Sequence, residues 1–498
     1  MNTDTLLDAL GVVEDFAWEF FGIPVIIAAG LYLSVRTGLV QIRHLPDMFR
    51  AITDRATKDD AGRSRSLSAF QAFTVTASAR VGTGNIAGVA GAIAMGGPGA
   101  VFWMWAMALL NSAASFVEST LAQLYKTRRF DTYKGGPAYY IERGLGSRSG
   151  GVVFAVIFIF CFALSFTSLQ ANTIVDAVTG AAGEMGMEDT TSLTWILAVV
   201  LTVLTGVVVI AGLRRVAQVA QNVVPAMAML YILLGLVVVA VNIEQLPGVI
   251  ALIFGEAFDF SAIAGGAFGA MIMAGIQRGM FSNEAGMGSV PNVAATADVS
   301  HPAKQGLVQT LGVYLDTLII CSVTAFIILF TFPDAQATAD ANPGAELTQM
   351  ALVSNFGTLG AVALAVIIML VAFTSVLGNY SYGEANVLFI SDSETLRKIY
   401  AAGLTGIVFL GAIISVELAW AIAGVTMVII AMFNLLVIME MGGTAVKLLK
   451  HYQGQKRQGL EPVFLASDMP ELVNVECWTP EDMAEHLSRR EDPAAQRG

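Results

Sequence analysis

Two arginines, Arg80 and Arg278, stand inside long apolar runs that otherwise carry almost no charge. A guanidinium in hydrocarbon is costly and persists where it finds a carboxylate or a water path. Each arginine opens a stretch rich in small residues, RVGTGNIAG at 80–88 and RGMFSNEAG at 278–286. Laid over each other, the two stretches match at Arg80 and Arg278, Asn85 and Asn283, Ala87 and Ala285, and Gly88 and Gly286. Clustered glycines predict a break in each helix, and a break in lipid frees backbone groups that must line a cavity or bind something. In the first stretch the amides of Gly82, Thr83 and Gly84 become orphan donors at a positive helix end, which suits a carboxylate. Glycine lets such a ligand approach the backbone closely. Asn85 offers an acceptor and two donors and could ligate a cation or hold a substrate.

The second break is expected around Gly275–Ser282, where carbonyls freed near Ala274 and Gly275 would accept bonds from an ammonium group. Phe268, Ile272 and Ile276 would then wall a pocket for a small side chain. Phe166, Gln170 and Thr173 share one helical face, at spacings of four and three, and Gln170 is the polar group a substrate could meet. The run VAFTSVLGN at 371–379 sets the Thr374 and Ser375 hydroxyls beside the carbonyl of Val371, one turn earlier. A compact oxygen cluster of this kind suits a hard cation. Glu118, Glu284, Asp316 and Glu384 lie within or beside apolar runs, where some would pair with the two arginines as structural or gating bridges and one could carry a proton.

Helices must position these groups, and composition says in what solvent. Of 498 residues, 55% are hydrophobic and only 13% charged. Soluble domains carry about a quarter charged residues, so an integral membrane protein is predicted. Eleven apolar runs are long enough to be spans, and we number them as segments 1 to 11: 16–35, 67–95, 98–125, 152–179, 192–212, 216–241, 262–294, 305–332, 356–390, 399–415 and 417–441. Shorter apolar stretches at 245–258 and 345–355 read as re-entrant or interfacial. The expected divisions are an external N-terminus, first span and basic loop (1–66), a first five-helix repeat (67–241), its inverted copy (242–441) and a tail (442–498). The two glycine-bearing runs open the two repeats and run in opposite directions, the pattern that points to a secondary transporter's midplane site.

Charge fixes an expected orientation. Placing the N-terminus outside assigns all but two of the 27 Lys and Arg to cytoplasmic loops and the tail, among them Arg55, Lys58, Arg63, Arg65 and Arg497. The external loops hold acidic residues such as Glu184, Asp259, Asp334 and Asp340 and no basic ones. The two exceptions are Arg80 and Arg278. A net charge of -12 disfavours a nucleic-acid partner. Cys161, Cys321 and Cys477 suggest no disulfide. The acidic first seventeen residues lack the basic flank of a cleaved signal peptide.

RVGTGNIAGVA (80–90), GGPAYYIERGLG (135–146) and GMFSNEAGMGSVP (279–291) together resemble the signatures of the alanine or glycine:cation symporter family, and the similarity runs over roughly residues 15 to 445. The resemblance implies a LeuT-type fold, two inverted five-helix repeats (segments 2–6 and 7–11) preceded by one extra helix. It implies a multi-pass carrier of a bacterial or archaeal inner membrane that couples alanine or glycine to sodium, with no organic cofactor and a monomer as the default expectation. VGTGN at 81–85 also resembles the VGLGN stretch of neurotransmitter:sodium symporters. Through that likeness the carbonyls of Ser78 and Val81 would join Val371, Thr374 and Ser375 in a sodium site.

A proton-coupled carrier of the same fold is the alternative, because of the intramembrane carboxylates. A channel would not need two broken helices around a closed pocket. An enzyme would need a nucleophile–base pair or a metal cluster, yet His44, His301, His451 and His486 all fall in loops or tail, and no span carries HExxH or GxSxG.

Overall fold

The computed structural model describes residues 3–54, 56–57, 66–129, 132–259, 267–333 and 345–491. Arg55, Lys58, Arg63, Arg65, Asp334, Asp340, Arg497 and the first residues of segment 7, 262–266, lie outside these. Nine helices among the described residues are long and apolar enough to cross a membrane: Thr5–Arg36, Gly99–Leu124, Arg148–Glu184, Thr191–Val209, Arg215–Val241, Pro302–Thr331, Thr358–Ile390, Glu394–Ile413 and Val416–Arg457. They match every segment except 2 and 7. Exposed Val199, Val203 and Val207 on segment 5 and Met229, Leu233 and Leu236 on segment 6 form outward apolar faces of the kind a bilayer solvates. The protein is a multi-pass membrane protein.

Segment 2 is two short helices. A capping box starts the first: the Ser68 hydroxyl accepts from the Gln71 amide, and the Gln71 side chain accepts from the Ser68 amide. Ala69–Arg80 then runs until Val81 leaves helical geometry. Gly82 is extended, Thr83–Asn85 makes a single tight turn, and Ala87–Gly96 resumes the helix.

Segment 7 differs from expectation. Ala267–Asn283 is continuous helix, and Gly275–Ser282 lies inside it. The break comes later, at 284–290, before the short helix Pro291–Ala294. Gly275 and Gly279 serve packing instead: a Cβ on Gly275 would meet Ala100 O at 2.6 Å, and one on Gly279 would meet Met104 Cα at 3.3 Å. Small residues let these two helices approach closely. The break is built from left-handed backbone at Glu284, Gly286 and Gly288, with φ of 55°, 86° and 76°, which glycine adopts at little cost.

The short stretches beside segments 7 and 9 are the helices Leu246–Ala257 and Glu346–Phe356. An unanticipated antiparallel hairpin joins Thr127–Arg129 to Thr132–Lys134. Segment 11 runs on as helix to Arg457, beyond the expected boundary at 441. Ion pairs join Arg129 to Asp392, Arg143 to Glu476, Lys304 to Asp54 and Lys456 to Asp47. The loops carrying most of the basic residues therefore share one face, called here the basic face.

Candidate substrate and cation site

The first break is filled by its own neighbours. The Gly82 amide donates to Asn85 Oδ1 at 2.9 Å, and the Thr83 amide donates to Gln170 Oε1 at 3.1 Å. Gln170 thus crosses from segment 4 to the orphan donors, while Thr173 only bonds back to Leu169 in its own helix. Asn85 Nδ2 donates to Asp316 Oδ1 at 2.6 Å and to Ser282 Oγ at 3.1 Å. Asn283 Nδ2 donates to the Thr317 hydroxyl at 3.1 Å. The two asparagines matched in the repeat therefore reach adjacent residues of segment 8. Neither Gly82 nor Gly84 has room for a side chain. A Cβ on Gly82 would collide with Ser375 Oγ, and one on Gly84 would meet Phe281 Cδ1 at 2.9 Å.

Beside this break the Ser375 hydroxyl lies 3.0 Å from Ser78 O, 3.4 Å from Val81 O and 2.9 Å from Val371 O. Three carbonyls thus meet one hydroxyl between segments 2 and 9. Thr374 is displaced from that meeting. Its hydroxyl bonds Leu370 O and Val371 O, as hydroxyls in helices commonly do, and touches Met227 Sδ at 3.5 Å.

The four carboxylates do not take the expected partners. Glu118 grips the second break: it accepts from the Gly286 amide at 3.2 Å, the Gly288 amide at 3.0 Å and Asn434 Nδ2 at 2.8 Å. Tyr140 donates to Asn434 in turn. Glu284 accepts from Ser289, and Asp316 from Asn85, Ser282 and Thr317. Glu384 accepts from the Tyr380 hydroxyl at 2.8 Å and pairs with Arg397 at 3.4 Å. Hydroxyls and amides satisfy Glu118, Glu284 and Asp316 locally, and Glu384 takes Arg397 in place of Arg80 or Arg278. The Arg80 guanidinium bonds Gln309 O and Ser115 Oγ. Arg278 lies 4.0 Å above the Trp420 ring, and its charge acts on Glu14 of the first helix. Glu14 also accepts a hydrogen bond from Gln277. Glu14 and Trp420 went unread in the sequence. In the sequence Glu14 counts only toward the acidic N-terminal flank, and nothing sets Trp420 apart from the apolar run around it.

The expected apolar wall also moves. Phe268 packs edge-on against Trp103, in the first turn of its helix. It stands roughly four helical turns from the break. Ile272 and Ile276 lie along the same helix and pack into the hydrophobic core. Rings nearer the break replace them. Phe166 contacts Phe281 at 4.9 Å and Phe281 contacts Trp420 at 5.1 Å. Arg278 closes the stack, which lies over Gly84 and Gly88.

Comparison with known proteins decides the family. The model of the sodium:alanine symporter family matches residues 3–466. The chain belongs to that family. Members are transporters, and this is a transport protein and not an enzyme. The chain is 45% identical to the amino-acid carrier protein AlsT of Bacillus subtilis over 95% of its own length and 97% of the relative's. It is 44% identical to the probable sodium/glutamine symporter GlnT of the same organism, over 95% and 96%. A crystal structure of MhsT in complex with L-phenylalanine, 15% identical, superposes with a TM-score of 0.55 over 78% of this chain and 99% of that one. The fold is LeuT-like. On its basic face this family member has a cavity of about 200 Å³ whose lining includes Tyr133, Asn292, Thr296, Ser381, Glu384 and Arg397.

Proposed function

We propose that this protein is a sodium-coupled symporter that takes up alanine or glycine by alternating access. The observation that carries the reading is the meeting of Ser375 Oγ with the carbonyls of Ser78, Val81 and Val371, directly beside the Gly82 and Thr83 amides. Sodium would take those four oxygens, with Thr374 turning in from Val371. A carboxylate arriving at the break would replace Gln170 Oε1 on the Thr83 amide and leave Gln170 to turn its amide toward the ligand. The Phe166–Phe281–Trp420 stack would limit side-chain size. In this account Gly82, Thr83, Gly84, Asn85, Phe166 and Gln170 meet the substrate, and Gly275 and Ile276 give up their places to Phe281 and Trp420.

The nine long helices plus broken segments 2 and 7 make eleven crossings, read as an inverted 5+5 repeat after one extra helix. The basic face is assigned to the cytoplasm, which puts the N-terminus outside. The cavity beside Glu384 and Arg397 is then an inner vestibule, closed from outside by the aromatic stack. Uptake of labelled alanine and glycine into proteoliposomes under a sodium gradient tests this, with glutamine as competitor because GlnT is so similar. Proton coupling is the second reading. It is favoured by Asp316, a fully buried carboxylate that touches the break through Asn85 and Ser282.

A further inference from the structure

The tail after Arg457 is not a loose extension. Val463, Phe464, Cys477, Trp478 and Met483 are buried, with Phe464, Trp478 and Met483 fully so. What they cover is the junction between the two broken segments. The chain just before segment 2 is tied to the chain just after segment 7: the Asp298 amide donates to Leu67 O at 2.9 Å, and Ser66 donates to Thr296 O. The tail is fastened to the chain after segment 7 and, through Arg489, which donates to Ala56 O at 3.4 Å, to the chain ahead of segment 2. The Phe464 amide donates to Ser300 O at 2.9 Å, and the Ser300 hydroxyl donates to Pro462 O at 2.7 Å. His486 bonds Asp298 at 3.2 Å, and Asp298 also accepts from the Thr57 amide. Arg128 of the hairpin pairs with Asp482.

The middle of the tail holds an unusual contact. Lys126 is fully buried, and no ion pair reaches its ammonium among the described residues. It donates to Gln123 Oε1 and Ala297 O and lies 4.0 Å from the Tyr133 ring and 4.6 Å from the Trp478 ring. The Trp478 indole N–H donates to Gln123 O at 3.2 Å. Aromatic faces attract such a cation, yet burial holds the Lys126 pKa down to about 8, with Asp298 pulling it partly back. The ammonium in the docked arrangement thus carries a desolvation cost that its surroundings do not fully offset. A purely packed tail would not need a buried ammonium at its centre.

We propose that residues 458–491 are a strap that holds the inner ends of the two broken segments together, that Trp478 over Lys126 is its catch, and that releasing the catch speeds transport. On this account opening toward the cytoplasm parts Leu67 from Ala297–Ser300, and the strap holds Asp298 and Ser300 on one side and Ala56 on the other. This rests on the transport reading above, so one readout is kept independent of it. Cys477 sits beside Trp478, 1% exposed, while Cys161 and Cys321 are buried in spans. A membrane-impermeant maleimide on purified full-length protein therefore reports strap lifting without any substrate.

The variants are Trp478→Ala and Lys126→Met, with Trp478→Phe keeping a ring but losing the indole N–H. In Trp478→Ala, Cys477 alkylation is expected to quicken by roughly an order of magnitude, with Trp478→Phe in between. Alanine exchange in proteoliposomes should speed up severalfold, with the half-saturating alanine concentration unchanged. Thermal unfolding of each variant separates release from misfolding, and Lys126→Met serves if Trp478→Ala does not fold. Faster alkylation with unchanged or slower exchange overturns the strap's role. Unchanged alkylation in all three variants overturns the catch. Wild-type protein that moves no alanine or glycine, whatever its Cys477 does, counts against the transport reading instead.

Discussion

The hydroxyl of Ser375 donates to the carbonyl of Ser78 across 297 residues of sequence at 3.0 Å. That contact joins the last turn before the first break to the middle of segment 9. A backbone carbonyl at the end of a helix has lost its own partner, so it is available to a side chain or to an ion. One hydroxyl, with a single proton to donate, faces two carbonyls of that helix end and the Val371 carbonyl of its own helix, and a sodium ion there would replace the proton by a positive charge shared among them.

The two hydroxyls of the TS pair should therefore behave unequally. Ser375→Ala removes the oxygen that touches both segments and should raise the sodium needed for half-maximal alanine uptake by about tenfold or more, since bonds to a charged group are worth ~1.5–3 kcal/mol. Thr374→Ala removes a hydroxyl bonded within its own helix and should shift it less. Uptake measured over a sodium series checks this, and equal shifts would show that Thr374 is a full ligand.

Gln170→Ala removes the side-chain amide that turns toward the bound ligand. Alanine binding should weaken by about 1–3 kcal/mol, the cost of leaving a buried polar group of the ligand unpaired. Thr83→Ala should be mild, because its backbone does the bonding, and Gly84→Val should abolish binding against Phe281. Equilibrium binding of labelled alanine to the purified variants distinguishes the three. Full affinity in Gln170→Ala would return that side chain to plain helix packing.

How legible all this was depends on what kind of signal each part left. The first break could be read because Gly82, Gly84 and Asn85 interrupt an apolar run within five residues. The second was misplaced because Gly275 and Gly279 look alike in sequence to Gly286 and Gly288. Only left-handed backbone separates the packing pair from the breaking pair. Glu118 was visible as an intramembrane carboxylate, but its partners are backbone amides, which no residue type announces. The strap left no periodicity at all: Phe464, Trp478 and Met483 are isolated anchors in polar sequence, and their burial depends on surfaces far away in the chain.

Glu118 offers a test of the second break. Glu118→Gln keeps an acceptor for one amide and turns a donor toward the other. Thermal stability should fall by about 1–3 kcal/mol, and alanine affinity should drop with it because the 284–290 backbone loses its grip. Glu118→Asp, which keeps the charge but shortens the reach, should recover part of both. A thermal-shift series with and without alanine reads the two effects together.

The junction under the strap should loosen in acid. Burial, followed by the neighbouring His451 and Lys304 charges, holds the pKa of His301 well below the usual histidine range, and burial lowers that of His451 too. Below about pH 6.5 the unfolded chain takes up these protons while the folded one resists. The folded state therefore loses stability as the pH falls through that value and keeps it above. The unfolding midpoint should drop between pH 7.5 and 5.5, and His301→Asn should flatten the slope. A slope unchanged by that substitution would place the titration elsewhere.

The most direct measurement of the central claim is uptake of labelled alanine by proteoliposomes holding the purified protein, with sodium and proton gradients imposed one at a time. The account predicts concentrative uptake driven by an inward sodium gradient at constant pH, abolished in Ser375→Ala at low sodium and restored as sodium is raised. Uptake driven by a proton gradient in the absence of sodium, with Ser375→Ala behaving as wild type, would contradict it and move the coupling ion to Asp316.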